Sequence, residues 1–201
     1  ILEEETTEDI EKMAAIVPSD KPYMKTGVIE SWKKRIPWLM LLMISAAFTG
    51  RIISSFEDAL SKYVVLTAFI PMLMDTGGNA GGQASAVIIR GLSLDEIQFG
   101  DWFKVVWKEI RTAVLCGLTL AGCNIVKMLA FDKVSIRVAL VVSVTLFLAV
   151  IVAKVVGSTL PMIAKKIGMD PAVMASPFIT TIVDAISLLI YFRIATIALG
   201  I

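Results

Sequence analysis

Asp184 is the residue whose chemistry is hardest to reconcile with its surroundings. It lies in the run Pro177-Phe178-Ile179-Thr180-Thr181-Ile182-Val183-Asp184-Ala185-Ile186-Ser187-Leu188-Leu189-Ile190, which is apolar enough to cross a membrane. A carboxylate near the middle of a bilayer costs several kcal/mol, on the order of 3 on insertion scales. Such groups face a bundle interior and mark ion or proton paths. On a helix, Ser176, Thr180, Asp184, Ser187 and Tyr191 fall on one side. That polar stripe is what a pore-lining helix presents. The structural alternative is that Asp184 pairs with an intramembrane cation such as Lys127 or Lys154.

A second unusual stretch runs Pro71-Met72-Leu73-Met74-Asp75-Thr76-Gly77-Gly78-Asn79-Ala80-Gly81-Gly82-Gln83. Glycines at 77, 78, 81 and 82 predict an irregular backbone, which at membrane depth survives only inside protein or beside water. Freed carbonyls, with Asp75, Asn79 and Gln83, would then face a pore. The competing reading is close helix packing through small residues. The segment lacks the Gly-Lys-Ser/Thr ending of a phosphate loop.

All these candidate ligands are oxygens, which suit hard cations such as Mg2+, Ca2+, Mn2+ or alkali ions. One carboxylate per chain is too few to hold a dehydrated divalent ion. Two copies of Asp184 facing each other across a two-fold axis would form a negative ring. Mg2+ dehydrates reluctantly and is often held through its waters. The chain contains no His, which argues against zinc sites and most hydrolase mechanisms. No nucleophile–base pair is visible, so the chain reads as a non-enzyme. Cys116 and Cys123 lack metal-site spacing and read as packing residues.

The elements that must position these groups are helices. The chain is 57% apolar and its mean hydropathy is +0.80, values of an integral membrane protein. The fold class is therefore all-α and polytopic. Five spans are expected, at about 36–56, 63–90, 112–130, 138–163 and 172–199. An N-terminal amphipathic helix is expected within residues 1–17, ended by Pro18 and Pro22. The division is a connecting helix and linker over 1–25 and a five-helix domain over 26–201. The aromatic spacing of 99, 103, 106 and 110 predicts a surface helix within 91–111. Trp32, Lys33, Lys34 and Arg35 suit a headgroup zone. With the N-terminus cytoplasmic, twelve Lys and Arg lie inside and three outside, which favours N-in and C-out. A net charge of +1 without a basic arm gives no sign of a nucleic-acid partner. The chain starts at Ile1 and reads as a piece of a longer protein.

The Gly-Gly-Asn-x-Gly-x-Gln core at 77–83, the Pro177 to Asp184 segment and the Thr-Glu-Asp-Ile run at 7–10 resemble the MgtE family of magnesium channels. The resemblance implies a homodimer with five spans per chain and one central pore in the plasma (inner) membrane. It implies that Asp184 holds hydrated Mg2+, with Thr180 and Ser176 beside it. Relatives often carry Asn where this chain has Ser176. Gly78, Asn79, Gln83, Asp75 and Ser187 are further pore-lining candidates. Family members also carry a cytosolic N domain and a CBS domain pair that bind Mg2+ and close the channel. Glu8 and Asp9 are then candidates for cytosolic Mg2+ sensing. The competing function is a secondary transporter of divalent cations in which Asp184 couples transport to a second ion.

Overall fold

The computed structural model describes residues 8, 10–14, 16–18, 22–174 and 176–200, with the backbone alone for 59, 174, 176 and 177. Its helices are α1 (Val28–Ser55), α2 (Glu57–Lys62), α3 (Ile70–Ser93), α4 (Trp102–Ala130), α5 (Ile136–Lys166) and α6 (Ser176–Leu199). No strand occurs among the described residues, as the all-α expectation requires.

Four stretches are long and apolar enough to cross a membrane: Val28–Ser55, Phe99–Ala130, Ile136–Lys166 and Phe178–Leu199. The remaining expected span, α3, has 24 residues and so reaches about 36 Å, enough for a ~30 Å hydrocarbon core. Its Asp, Asn, Gln and glycines make it too polar to be counted with them. α3 instead buries its apolar and glycine faces against α5 and α6.

The backbone of α3 corrects the expectation of a break. The helix runs unbroken through Gly77, Gly78, Gly81 and Gly82. Each interior glycine costs about 1 kcal/mol relative to Ala. Opening the helix would instead strand backbone groups where no water can take them, at several kcal/mol each. Keeping the helix and packing its glycine face is the cheaper solution. Pro71, which needs no hydrogen-bonded N–H in the first turn, starts it.

The separate surface helix expected within 91–111 is also corrected. A short 3-10 turn at Phe99–Asp101 leads directly into α4, which continues from Trp102 to Ala130. No Gly or Pro interrupts residues 102–116, so the amphipathic turns and the apolar span form one helix.

α5 is the central helix, touching α3, α4 and α6. Its Ser135 hydroxyl caps the start by accepting from the Val138 N–H at 3.4 Å. α1 is peripheral and rests on α6, where Trp38 meets Phe178 edge-on at 5.2 Å. Near the opposite end Phe56 stacks on Phe192 at 4.5 Å, and the buried Tyr191 hydroxyl donates to the Leu66 carbonyl at 2.9 Å.

Candidate functional site

The glycine face of α3 determines where α6 sits. A Cβ at Gly77 would lie 2.9 Å from Val183 Cγ1 and 3.3 Å from Ser187 Oγ. One at Gly78 would lie 2.9 Å from Thr180 Cγ2, and one at Gly81 would lie 2.6 Å from Ile179 Cγ2. On the α5 side, the same added Cβ at Gly81 would lie 3.2 Å from the Ala153 carbonyl oxygen, and Gly157 meets the Gly81 backbone. Close approach thus sets the register that holds Thr180 and Asp184 beside α3.

Asp184 is half-buried and makes no hydrogen bond or ion pair among the described residues. The two proposed structural partners are engaged elsewhere. Lys127 pairs with Asp132 at 2.7 Å, and Lys154 lies 3.7 Å from Glu109. A second carboxylate, Asp75, is exposed on the neighbouring helix α3. Sequence reasoning found both groups but had no means to pair them. The signal was the register of two glycines against Val183, which is visible only once the helices are packed.

The other candidates divide between two faces. Asn79 and Gln83 follow Asp75 at i+4 and i+8 and are exposed. With Thr76, Cys116, Thr119 and Lys154 they line an open groove of ≈ 500 Å³ between α3 and α4. Gly78 is buried against Thr180. The stripe predicted on α6 is also split. Thr180 and Asp184 remain partly open, whereas Ser187 and Tyr191 are 0% exposed. Ser187 packs on Gly77, and its hydroxyl has no hydrogen-bond partner among the described residues. Within one chain it faces the core rather than an open surface. α6 begins at Ser176, whose side chain lies outside what is described.

At the N-terminus, Glu8 pairs with Lys12 at 2.6 Å, and Lys12 reaches Asp170 at 2.5 Å. Asp9 lies outside the described residues. The Asp170 hydrogen bond, then that to Glu8, holds the Lys12 ammonium above its ordinary value despite some burial. Burial pushes the Asp170 carboxyl up, but hydrogen bonds from Lys12 and the Ala172 N–H outweigh it and bring it below the ordinary value. Met13 packs against Ile89 and Ala172, so this turn sits over the end of α3 and the 3-10 turn Pro171–Met174 that precedes α6.

Among the described residues no group of three or more His, Cys, Asp or Glu side chains could hold a metal ion. Cys116 and Cys123 are free and exposed. Asp75 and Asp184 can attract a cation, but enclosing one needs water or a second chain.

Comparison with known proteins identifies relatives along nearly the whole chain. The chain is 36% identical to a magnesium transporter MgtE of Thermus thermophilus over 199 residues, covering 99% of this chain and 44% of that protein. It is 38% identical to the magnesium transporter MgtE of Bacillus subtilis over 196 residues, covering 96% and 42%. The magnesium transporter MgtE of Enterococcus faecalis is 31% identical over 196 residues, covering 98% and 42%. The chain therefore spans less than half the length of the curated relatives it matches. The family model described as a divalent cation transporter matches residues 70–194, from the first residue of α3 to well into α6. With that match across most of the helices that carry the glycine seam, Asp75 and Asp184, the chain belongs to the MgtE family of divalent cation transporters.

Proposed function

We propose that this chain is the membrane part of a Mg2+-selective channel, built as a homodimer with one pore on the dimer axis. Asp184 of each copy faces the pore and holds Mg2+ through its hydration water. Thr180 and Ser176 accept hydrogen bonds from that water shell, and Asp75 adds negative charge on the neighbouring helix. Residues 26–201 form the pore domain and 1–25 the connecting segment. The N-terminus is cytoplasmic and the C-terminus outside, in the inner membrane. Glu8 and Asp9 sense cytosolic Mg2+ together with N and CBS domains of a longer protein.

The observation that carries this reading is a half-buried carboxylate at membrane depth with no protein cation beside it. A structural carboxylate there would be paired. Asp75 on the neighbouring helix carries like charge, so the two carboxylates together gain by attracting a divalent ion. Keeping the water shell suits Mg2+, whose inner ligands sit at about 2.0–2.1 Å and leave reluctantly. The exposed Asp75, Asn79 and Gln83 support a second copy or water against α3, since such side chains do not face lipid.

The test is Mg2+ flux into liposomes containing the wild-type chain or Asp184→Asn, with Ca2+ as competitor. The expected result is loss of Mg2+ preference with at least a tenfold fall in flux, the equivalent of about 1.4 kcal/mol. Unchanged flux and selectivity would refute the assignment of Asp184. Flux that requires a proton or Na+ gradient would replace the channel with a coupled transporter.

A further inference from the structure

We infer that the outer face of α1 near its start is a binding site for one anionic phospholipid. Val28, Trp32, Arg35, Ile36 and Leu39 share one face of α1 by their spacing. Tyr23, on the 3-10 turn before the helix, overhangs them, and together they bound a groove of ≈ 530 Å³.

The groove has two chemically different ends. At the near end, beside the apolar Met24 and Val28, are all of the groove's polar groups: the exposed Arg35 guanidinium, the Trp32 ring and the Tyr23, Thr26 and Ser31 hydroxyls. Beyond Arg35 the lining is apolar, and the same face continues through the exposed Leu39 and Met43. α1 buries no residue of its most apolar stretch within the chain, so this face is open to a lipid. An occupant must therefore carry an anionic head and an apolar tail in that order.

Charge complementarity favours a net anionic head over a zwitterionic one. Lys34 is already used, donating to the Pro18 carbonyl at 3.3 Å and lying 3.7 Å from Glu30. Arg35 and Lys33 are exposed and make no ion pair among the described residues. Two unmatched cations beside a Trp and a Tyr at a span end are what a phosphate-level contact requires. The guanidinium offers a fork of donors that fits phosphate oxygens two at a time. A free phosphate would leave the apolar half of the groove empty.

The test uses the full chain purified in detergent and loaded with mixed phosphatidylcholine and phosphatidylglycerol. Native mass spectrometry reads the lipids retained per chain across a lipid titration. Wild-type chain is expected to retain phosphatidylglycerol preferentially. Arg35→Gln should weaken that retention about fivefold, the worth of one basic residue near an anionic leaflet. Trp32→Ala should weaken both lipids, and Lys104→Gln, remote from the groove, should change neither. Equal retention of the two lipids by wild type would overturn the inference. So would an unchanged titration for a folded Arg35→Gln, or displacement of phosphatidylglycerol by inorganic phosphate.

Discussion

Replacing Gly157 by Ala forces α5 away from α3, and the cost follows from what the new methyl meets. A Cβ at Gly157 overlaps the Gly81 carbonyl oxygen and lies 2.9 Å from its carbon and 3.0 Å from its Cα. Ordinary contact begins near 3.4 Å, so the carbon contact alone needs about half an ångström of separation and the oxygen overlap needs about twice that. Both sides are helical backbone, so no side-chain rotation relieves the overlap. Overpacking costs about 1–3 kcal/mol, and rigid backbone on both sides places this case near 3. The better helix propensity of Ala returns about 1 kcal/mol, leaving a net loss of roughly 2. Gly122→Ala in α4 is the control, because nothing lies within 4 Å of its Cβ position. It should gain up to about 1 kcal/mol. The two variants should therefore differ by about 3 kcal/mol in SDS-induced unfolding from mixed micelles. Gly157→Ala should also lose Mg2+ flux, because Gly81 joins the same crossing to α6 through Ile179. A Gly157→Ala chain as stable as Gly122→Ala would refute the backbone-contact account of the seam.

Three further outcomes are expected. Tyr191→Phe leaves the Leu66 carbonyl without its buried donor and should cost about 1–2 kcal/mol in the same unfolding assay, with Mg2+ selectivity in liposomes unchanged. Lys154 and Glu109 have side chains only 7% and 12% exposed, so Glu109→Gln alone should destabilise by about 3 kcal/mol, while Glu109→Gln with Lys154→Met should recover most of the loss; an additive double variant would show that the pair is uncoupled. Docking of the N-terminal turn should be flat with pH through the neutral range. Asp170 is depressed, so its contribution is present above the ordinary 3.8 and is lost as pH falls through the lower, docked value. Lys12 is raised, so its contribution is full below 10.5 and is lost only above that. Hydrogen exchange over residues 10–17 should rise at the acid end, and at neutral pH in Asp170→Asn; equal protection in that variant would remove the ion pair from the docking contact.

Asp184 was legible in the sequence because one charge inside an apolar run has few explanations. The apolar spans were legible for the same reason, through their length. The glycines at 77, 78, 81 and 82 were ambiguous because breaking a helix and packing one both favour glycine. The deciding fact was that Gly157 and the Ala153 carbonyl meet Gly81, a long-range pairing with no local trace. The start of α4 was set too late because hydropathy discounts the amphipathic turns from Trp102 to Arg111, although nothing there stops the helix. Ser187 and Tyr191 were expected on one open stripe with Thr180 and Asp184, but they pack into the core. Periodicity gives a face but not its neighbour, and the neighbour here is α3 with the 3-10 turn Val64–Phe69 before it.

The departures at α3 and α6 have one physical origin, which is that α3 serves two faces at once. Its glycines give up side chains so that α5 and α6 can approach the backbone. Its Asp75, Asn79 and Gln83 turn away from that crossing and stay exposed. A helix with larger residues at 77, 78 and 81 would keep the polar stripe but hold α6 farther off. Asp184 would then move relative to Asp75, and their mutual repulsion would weaken with distance. The glycine seam therefore sets an electrostatic quantity as well as a packing one: the separation of the Asp75 and Asp184 carboxylates.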